Sequence, residues 1–494
     1  MQRGASCAPF LCFGAWVLSM SKSGTELRQE KFVRMTTTPV RKLILKLSVP
    51  TIASMMVTAM YNLADTYFVS SLGGYESTCA IAAVSVSLSV MALIQAVGFF
   101  VGQGSANYVS RALGRKDVFK ASEMVATGFV CALILGLLIA GLGELFVRPI
   151  AIFLGAAKED KAFLAPTVDY LRWIFLAAPF MTCSFALNNQ LRFQGNAAYG
   201  MVGVVSGAIL NVGLDPLFIH GFHMGAEGAA LATAISQCVG FLVLLAGTFR
   251  GDNLRIHLKR ARFTGENFYL ILQGGLPSLL RQGCAAVSVT VLNRVAGSVG
   301  AADPAIGRAA LIASFGLVSK IMMIINNVII GLGQGYQPVC GFNYGAELYS
   351  RVRQAFWFLV KAVACWCGIV IILGEIFAPT VVNLFRDAEP TVKRLAVTIL
   401  RFQCAACFVN CWVVSSNMTQ QTMGWMGSAS ILAMARQGLF MVPMVLLLSH
   451  FFGLFGLQIA QPVSDLLTLC LAIPLQIRVL RHLNQPDRPS AVQS

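Results

Sequence analysis

The chain has 494 residues, of which 56% are hydrophobic and 12% are charged, and its formal net charge is +16. These values exclude a soluble multidomain enzyme, because about a quarter of the residues in soluble domains are charged. At roughly 20 apolar residues per bilayer crossing, the chain has room for about a dozen spanning helices, which excludes large soluble domains as well.

The first 34 residues differ from the rest of the chain. Residues 5–20 are apolar, but a polar stretch follows them and leads directly into a long hydrophobic segment. Met35 opens a basic stretch that is typical of a cytoplasmic N-terminus. We therefore predict that residues 1–34 are a poorly structured extension, or a misassigned start, that lies outside the fold.

Twelve apolar segments follow, each long enough to span a bilayer. In chain order they lie near residues 43–72, 78–104, 121–147, 163–190, 197–220, 226–249, 266–293, 307–332, 353–384, 394–418, 427–450 and 455–477. With the N-terminus placed inside, about 22 of the basic residues, Arg192 among them, fall in cytoplasmic segments and about 8 outside. The positive charge therefore indicates membrane topology with both termini cytoplasmic, and it does not require nucleic acid as a partner.

The two halves of the chain repeat one another. Three sets of residues match at offsets of 231, 227 and 228 positions: the Gly-Gln-Gly runs at 102–104 and 333–335, Pro50 with Pro277, and Gly225 with Gly453. Six crossings per half give both halves the same orientation, so a pseudo-twofold axis along the membrane normal relates them, with a cavity between. This is a transporter architecture.

We accordingly predict an all-α polytopic membrane protein with two six-helix bundles. The N-terminal bundle comprises residues 35–250 and the C-terminal bundle comprises residues 266–480. A basic cytoplasmic linker at 251–265 joins them, and residues 481–494 form a cytoplasmic tail.

Acidic side chains inside the hydrocarbon region are functional candidates, because they are costly there unless they find partners or line a cavity. Asp65 and Asp215 each lie about five to seven residues before the outer end of a predicted span, so they share a depth. Asn211 shares a helix face with Asp215, while Thr233 and Tyr170 reach the same level from neighbouring spans. Asp215 alternatively caps or pairs locally ahead of a proline.

Oxygen ligands of this kind suit Na⁺, and two carboxylates in apolar surroundings could instead hold a proton. The sequence therefore predicts a cation-coupling site in the N-terminal half. At the corresponding positions the second half has Leu292 and Pro443, so it lacks the acidic pair. It carries instead Lys320, Arg436 and Asp465 near mid-span, which predict a buried polar network, either structural or in contact with substrate.

Pro50 and Pro277 lie inside spans one and seven, where each removes a helical hydrogen bond and kinks the helix. A first helix that bends beside Asp65 would let cation binding change the shape of the protein. No Walker A pattern, His-Glu-x-x-His or Gly-x-Ser-x-Gly occurs in the sequence, so we predict neither a nucleotide motor nor an enzyme.

Five groups of residues carry a family resemblance: Pro50, Asn62 with Asp65, Asn211-x-x-x-Asp215-Pro216, Gly225-Ala-Glu-Gly228 through Thr233, and Gly333-Gln-Gly-x-Gln-Pro338 through Gly345. At this spacing they resemble the multidrug and toxic compound extrusion (MATE) family, most like its bacterial DinF-like group, over about residues 38–480.

The resemblance implies drug/cation antiport and a cation site at Asp65, Asn211, Asp215 and Thr233, with Tyr170 and Asn188 nearby. Asn188 lies nearer the inner end of its span. The acidic residue that some relatives carry in span seven is Ala285 here, so a cation site in the C-terminal bundle has no support.

We predict a secondary active exporter of amphiphilic or cationic compounds that exchanges them for H⁺ or Na⁺ by alternating access. It would work as a monomer among the lipids of the inner membrane, with no ATPase subunit and no cofactor except the coupling ion. A flippase for lipid-linked oligosaccharides or lipids is the alternative. Such a flippase should have arginines in the cavity of the N-terminal half, but the spans of that half contain almost none apart from Arg172. A membrane enzyme is a third, weaker alternative.

Overall fold

The computed structural model describes residues 24–70, 74–154, 161–302, 307–383 and 389–487, and the regular structure in these ranges is helical. In the N-terminal half the helices are α1 (Gly24–Thr37), α2 (Val40–Ser70), α3 (Gly74–Gly114), α4 (Val118–Leu145), α5 (Val147–Phe153), α6 (Lys161–Phe193), α7 (Ala197–Pro216) and α8 (Gly225–Thr248). In the C-terminal half they are α9 (Gly265–Ala302), α10 (Arg308–Gly345), α11 (Tyr349–Asn383), α12 (Pro390–Ala406), α13 (Asn410–Met423), α14 (Met426–Met434) and α15 (Met441–His482). Short 3₁₀ or π-helical turns occupy Leu217–Gly221, Leu258–Arg260, Cys407–Val409 and Ala435–Leu439.

Within the described ranges, eleven helical segments are long and apolar enough to cross a membrane. The last of them runs for 57 residues from Met426 to His482, about 85 Å of helix, which is nearly three times the thickness of a bilayer core. Gly453 interrupts it with φ 54° and ψ −126°, so this segment crosses twice. The predicted all-α protein with twelve crossings is confirmed.

The N-terminal prediction is wrong for residues 24–34, which form α1 together with the next three residues. Phe32 and Met35 of α1 are buried, and the Lys31 ammonium lies 3.0 Å from Asp252 Oδ2 in the loop after α8. Asn343 Nδ2 at the end of α10 donates to the Met35 carbonyl at 3.2 Å. Helix α1 therefore contacts both halves, although its mostly polar sequence concealed this. Residues 1–23 lie outside the described residues.

The Lys31–Asp252 pair is buried outside the membrane-spanning segments. Burial lowers the pKa of Lys31 to about 8, because it opposes the charged ammonium more strongly than Asp252 supports it. Burial by itself would raise the pKa of Asp252, but the Lys31 charge and hydrogen bonds from Asn196 and Lys31 lower it below its usual value. Both groups are thus ionised at neutral pH, and Asp252 supplies the counter-charge of the buried Lys31.

Helices α3 and α10 cross at their inner ends through two glycines. A Cβ on Gly114 would lie 2.2 Å from the Phe342 carbonyl oxygen, and one on Gly345 would lie 2.1 Å from the Arg111 carbonyl oxygen. In the internal repeat, position 111 corresponds to 342 and position 114 corresponds to 345. The same contact therefore occurs twice, as a pseudo-twofold axis through this crossing requires.

The same exchange relates the other contacts between the halves, since α2 packs on α10 and α3 packs on α9. A Cβ on Gly335 would lie 2.6 Å from Ser48 Cα, and one on Gly275 would lie 2.1 Å from the Phe100 carbonyl oxygen. Backbones this close leave no passage where the helices touch. The halves are therefore sealed together at the end where α3 and α10 terminate, which is the end that the sequence predicts to be cytoplasmic. The bounds of the two bundles stay a prediction.

Candidate functional site

Above this seal the structure contains a cavity of about 290 Å³, lined by α2, α6, α7, α8 and α10 together with Gln95 and Phe99 of α3. Its wall combines small and apolar residues with scattered amides and hydroxyls. Residues Gly203, Gly207 and Gly240 let α7 and α8 approach closely, since a Cβ on Gly207 would lie 3.1 Å from the Ser236 carbonyl oxygen. The missing side chains also give the cavity its space.

Three predicted site residues meet at the wall of this cavity, and two of them, Asn211 and Thr233, line it. Asn211 Nδ2 lies 3.3 Å from Asp215 Oδ1 and 3.4 Å from Thr233 Oγ1, and all three side chains are at most 3% exposed. The four-residue spacing on α7 places Asn211 and Asp215 on one face, and α8 brings Thr233 against it. Among the described residues the Asn211 Oδ1 atom has no hydrogen-bond donor, although it is buried.

Tyr170 packs against α8, the helix that carries Thr233, and the side chain of Asp65 is not described. The Tyr170 side chain is 1% exposed and packs in one apolar cluster with Ala229 and Ala230, about one helical turn before Thr233. The backbone of Asp65 belongs to α2, but its side chain is outside the described residues. The membership of both residues in a cation site stays a prediction.

Asn188 lines the cavity but bonds elsewhere. Its Nδ2 donates to the Gly200 carbonyl oxygen at 3.1 Å, and Gly200 lies about 16 Å along α7 from Asn211. In the other half Asn417 Nδ2 donates to the Ala429 carbonyl oxygen at 2.8 Å, and these two positions are the repeat equivalents of Asn188 and Gly200. The structure therefore gives Asn188 a helix-joining role that both halves share, and a role in cation binding stays a prediction.

The predicted polar network of the C-terminal half forms only in part. Arg436 Nε donates to Asp465 Oδ1 at 3.0 Å, and Gln461 Nε2 donates to the same oxygen at 2.9 Å. Lys320 is exposed and makes no hydrogen bond or ion pair with the part of the chain that the structure describes. Arg436 lies on the π-helical turn Ala435–Leu439 and Asp465 lies on α15, whereas Lys320 lies on α10 and is not part of the network. Whether the pair contacts substrate stays a prediction.

Arg192, one of the basic residues predicted for the cytoplasmic segments, lies at the cavity instead. Arg192 lines the floor of the cavity, and its Nη1 donates to Gln334 Oε1 at 2.6 Å. Its Nη2 donates to Asn189 Oδ1, which also accepts from Gln103 Nε2 at 2.9 Å. The repeated Gly-Gln-Gly runs were a usable signal, because Asn189 and Arg192 connect their two glutamines, Gln103 and Gln334, through hydrogen bonds.

The arginine at the cavity is Arg192, and not Arg172 as the sequence suggested. Arg172 is 59% exposed and lies 4.0 Å from Glu144 and 3.9 Å from Asp169, so it is a surface residue at the outer end of α6. Arg192, at the opposite end of the same helix, is the arginine of the cavity.

Comparison with known proteins identifies the family. One family model, MatE, matches residues 50–217 and again residues 286–447, which together make up more than half of the chain. The chain belongs to the MatE family. Because the MatE model matches twice, once in each half, the match also agrees with the internal repeat.

Curated relatives match along nearly their whole length. A protein named "Multidrug export protein MepA" from Staphylococcus haemolyticus is 27% identical over 459 residues, covering 92% of this chain and 98% of the relative. A protein of the same name from Staphylococcus aureus is 28% identical over 462 residues, covering 92% and 97%. The interpretation as a transporter and not an enzyme is confirmed, while the narrower DinF-like assignment stays a prediction.

Solved structures of MatE relatives match equally widely. One, described as the outward-facing conformation of a multidrug resistance MATE family transporter of the MOP superfamily, superposes with a TM-score of 0.84 at 26% identity, covering 92% of this chain and 99% of the other. Another, described as MATE in the bent conformation, gives a TM-score of 0.82 at 25% identity, covering 93% and 98%.

Proposed function

We propose that this MatE transporter exports amphiphilic compounds in exchange for H⁺ or Na⁺. The observation that carries the proposal is the buried cluster of carboxylate, amide and hydroxyl in the wall of a mostly apolar cavity. The names of the relatives, which call them multidrug exporters, support the same conclusion. A cation and a substrate that both depend on this cavity are coupled if each favours a different one of two conformations.

The coupling cation would bind at Asp215. The Asp215 carboxylate, the unused Asn211 Oδ1 and the Thr233 hydroxyl are oxygen donors of the kind that a small hard cation prefers, and they fit Na⁺. In these apolar surroundings the carboxylate could equally hold a proton. Asp65 on α2 is proposed as the second carboxylate of the site. Among the described residues, no three or more His, Cys, Asp or Glu side chains are grouped so that they could hold a metal ion. The proposal therefore involves no transition metal.

Helix α2 would transmit cation binding to the cavity. Pro50 lies inside α2, one turn below the cavity-lining residue Ser54, and has no N–H for the helical hydrogen bond. Ser54 Oγ donates to the Pro50 carbonyl at 2.8 Å, which loosens helical geometry further. We propose that α2 bends here, and that Pro277 in α9 is the equivalent point of the other half.

We place the transporter in the inner membrane as a monomer with both termini cytoplasmic. The chain termini support a common side, because α1 is bonded to the inner end of α10 and the His482 ring at the end of α15 lies 6.4 Å from that of Tyr344. The excess of basic residues in the same segments supports the cytoplasmic assignment.

The decisive experiment measures export from proteoliposomes under separately imposed pH and Na⁺ gradients. We expect Asp215→Asn to reduce gradient-driven export of an amphiphilic dye at least about tenfold, because the variant cannot exchange its proton or balance a cation. Asp169→Asn is the matched control, since Asp169 belongs to the neighbouring helix α6 and is 46% exposed. Undiminished export by Asp215→Asn under both gradients would contradict the proposal.

A further inference from the structure

The floor of the cavity holds a buried cation without a counter-charge. The Arg192 side chain is 4% exposed, and no carboxylate of the described residues lies within ion-pair distance of it. Its acceptors are two amide oxygens, and its Nε is buried without any acceptor. Burying a guanidinium against neutral groups alone is costly, so its position at a cavity indicates a ligand.

The fold does not require this charge. The repeat equivalent of Arg192 in the other half is Gln421. Gln421 Nε2 donates to the Gly274 carbonyl at 2.7 Å and to Ser278 Oγ at 2.8 Å. A neutral amide therefore satisfies the same backbone geometry, and the charge of Arg192 must be explained by the cavity that it lines.

The two acceptors of Arg192 belong to different halves of the protein. Asn189 lies on the same helix as Arg192, whereas Gln334 lies on α10 at the seal between the halves. When the halves separate on the cytoplasmic side, Gln334 leaves with α10 and Nη1 loses its acceptor. The inward-open cavity would then present a partly unsatisfied guanidinium to anything that enters from the cytoplasm.

The floor of the cavity has a positive character, whereas the Asp215 carboxylate lies 3.3 Å from Asn211, a lining residue further along α7. Arg192 is the one charged side chain among the described lining residues of the cavity. Lys320 is exposed on α10 and precedes the lining residues Asn327 and Gln334 by 7 and 14 positions, which places it on the same helix face. An anionic group on a compound in the cavity would be attracted to Arg192.

We propose that Arg192 binds the oxyanion of the exported compound, and that the substrates are amphiphiles in which a carboxylate or a similar anionic group is joined to an apolar body. The Arg192 guanidinium exchanges Gln334 for the substrate oxyanion when the protein opens inward, and returns to Gln334 when the cavity seals and the compound leaves. This inference rests on the proposed export function and narrows its substrate class.

The test uses a matched pair of xanthene dyes, one with a free carboxylate and one in which that carboxylate is a methyl ester. Export of each dye is measured in proteoliposomes of zwitterionic lipid. We expect the wild type to prefer the acid, and Arg192→Gln to reduce export of the acid about tenfold more than export of the ester, because a charge-assisted hydrogen bond is lost. Arg192→Lys should keep part of the preference, as a point charge without the bidentate fork.

Arg111→Gln is the control variant. Arg111 is also buried and also joins the halves, through the Met423 carbonyl and Gln273 Oε1, but it does not line the cavity. We expect Arg111→Gln to change the export of both dyes by the same factor. An equal effect of Arg192→Gln on the two dyes would overturn the inference and leave Arg192 as a bridge between the halves.

Two further outcomes separate this inference from the proposed function. A wild type that exports the ester but not the acid would refute anion recognition and retain the export function, whereas a wild type that moves neither dye under any gradient would refute export itself. Adding phosphatidylglycerol to the vesicles identifies the source of the oxyanion. If the lipid removes the wild type's preference for the acid, an acidic lipid headgroup occupies Arg192. If the preference remains, the oxyanion belongs to the exported compound.

Discussion

The two halves of this transporter share backbone contacts at repeated positions and differ in polar chemistry. Helices α6 and α13, one in each half, are both followed by a glycine with positive φ, 84° at Gly195 and 85° at Gly424. Three residues before each glycine, the first half has Arg192 and the second has Gln421. The asparagines that both halves keep, Asn188 and Asn417, join helices, whereas the position that differs has a charge at the cavity in one half only, so comparison of the halves helps to separate scaffold from function.

The largest effect should come from the paired glycine contact. Because each missing Cβ would meet a backbone carbonyl, neither Gly114→Ala nor Gly345→Ala can be relieved by a side-chain movement, and we expect each to destabilise the sealed state by about 3 kcal/mol. Thermal unfolding in detergent should change equally in the two variants. Gly368→Ala is the control, since a Cβ there meets no atom within 4 Å. Unequal effects of the first two would argue against the twofold relation.

The ion pair that holds α1 should come next. Asp252→Asn leaves the Lys31 ammonium buried without a counter-charge, and we expect α1 to dissociate more easily by about 3 kcal/mol. Limited proteolysis of residues 24–37 reports this directly. The double variant Lys31→Met with Asp252→Asn should recover much of the loss, because no buried charge remains. A double variant as sensitive to protease as the single one would show that packing alone fails to hold α1.

The two joining asparagines provide a sharper comparison. Asn188→Ala and Asn417→Ala each remove one buried hydrogen bond to the following helix, and each should cost about 1–2 kcal/mol in thermal stability. If Asn188 also serves the coupling cation, its variant alone should lose gradient-driven export. Equal export by both variants, normalised to folded protein, would remove Asn188 from the cation site.

The smallest effect concerns pH. The pKa of docked Lys31 is about 8, below its usual 10.5, so docking of α1 releases a proton between these values. Docking should therefore strengthen as the pH rises through this window, and it should be weaker below pH 8. Protease protection of α1 at about pH 7.5 and about pH 9.5 measures the change, and Lys31→Met should abolish it. Weaker protection at the higher pH would contradict a lowered pKa for Lys31.

Particular residues show how far the sequence could lead. The repeat was readable because a backbone with positive φ favours glycine, so Gly225 and Gly453 persist at matching positions, where φ is 59° and 54°. The group of Asn211, Asp215 and Thr233 was predictable because helical periodicity and membrane depth together fix which side chains can meet. Arg192 was misread because a basic residue at the end of a span has the same sequence signature whether it faces the cytoplasm or a cavity floor.

The sequence by itself determined that the chain is a membrane protein with twelve crossings in two related halves, and that a polar cluster lies within the first half. These properties depend on hydrophobicity and on periodicity along single helices. Only the tertiary structure decided the roles of α1, Asn188 and Arg192, since each depends on which helices pack together. Arg192 meets Gln334 across a distance of 142 residues in the chain, and no periodicity within one helix specifies that contact.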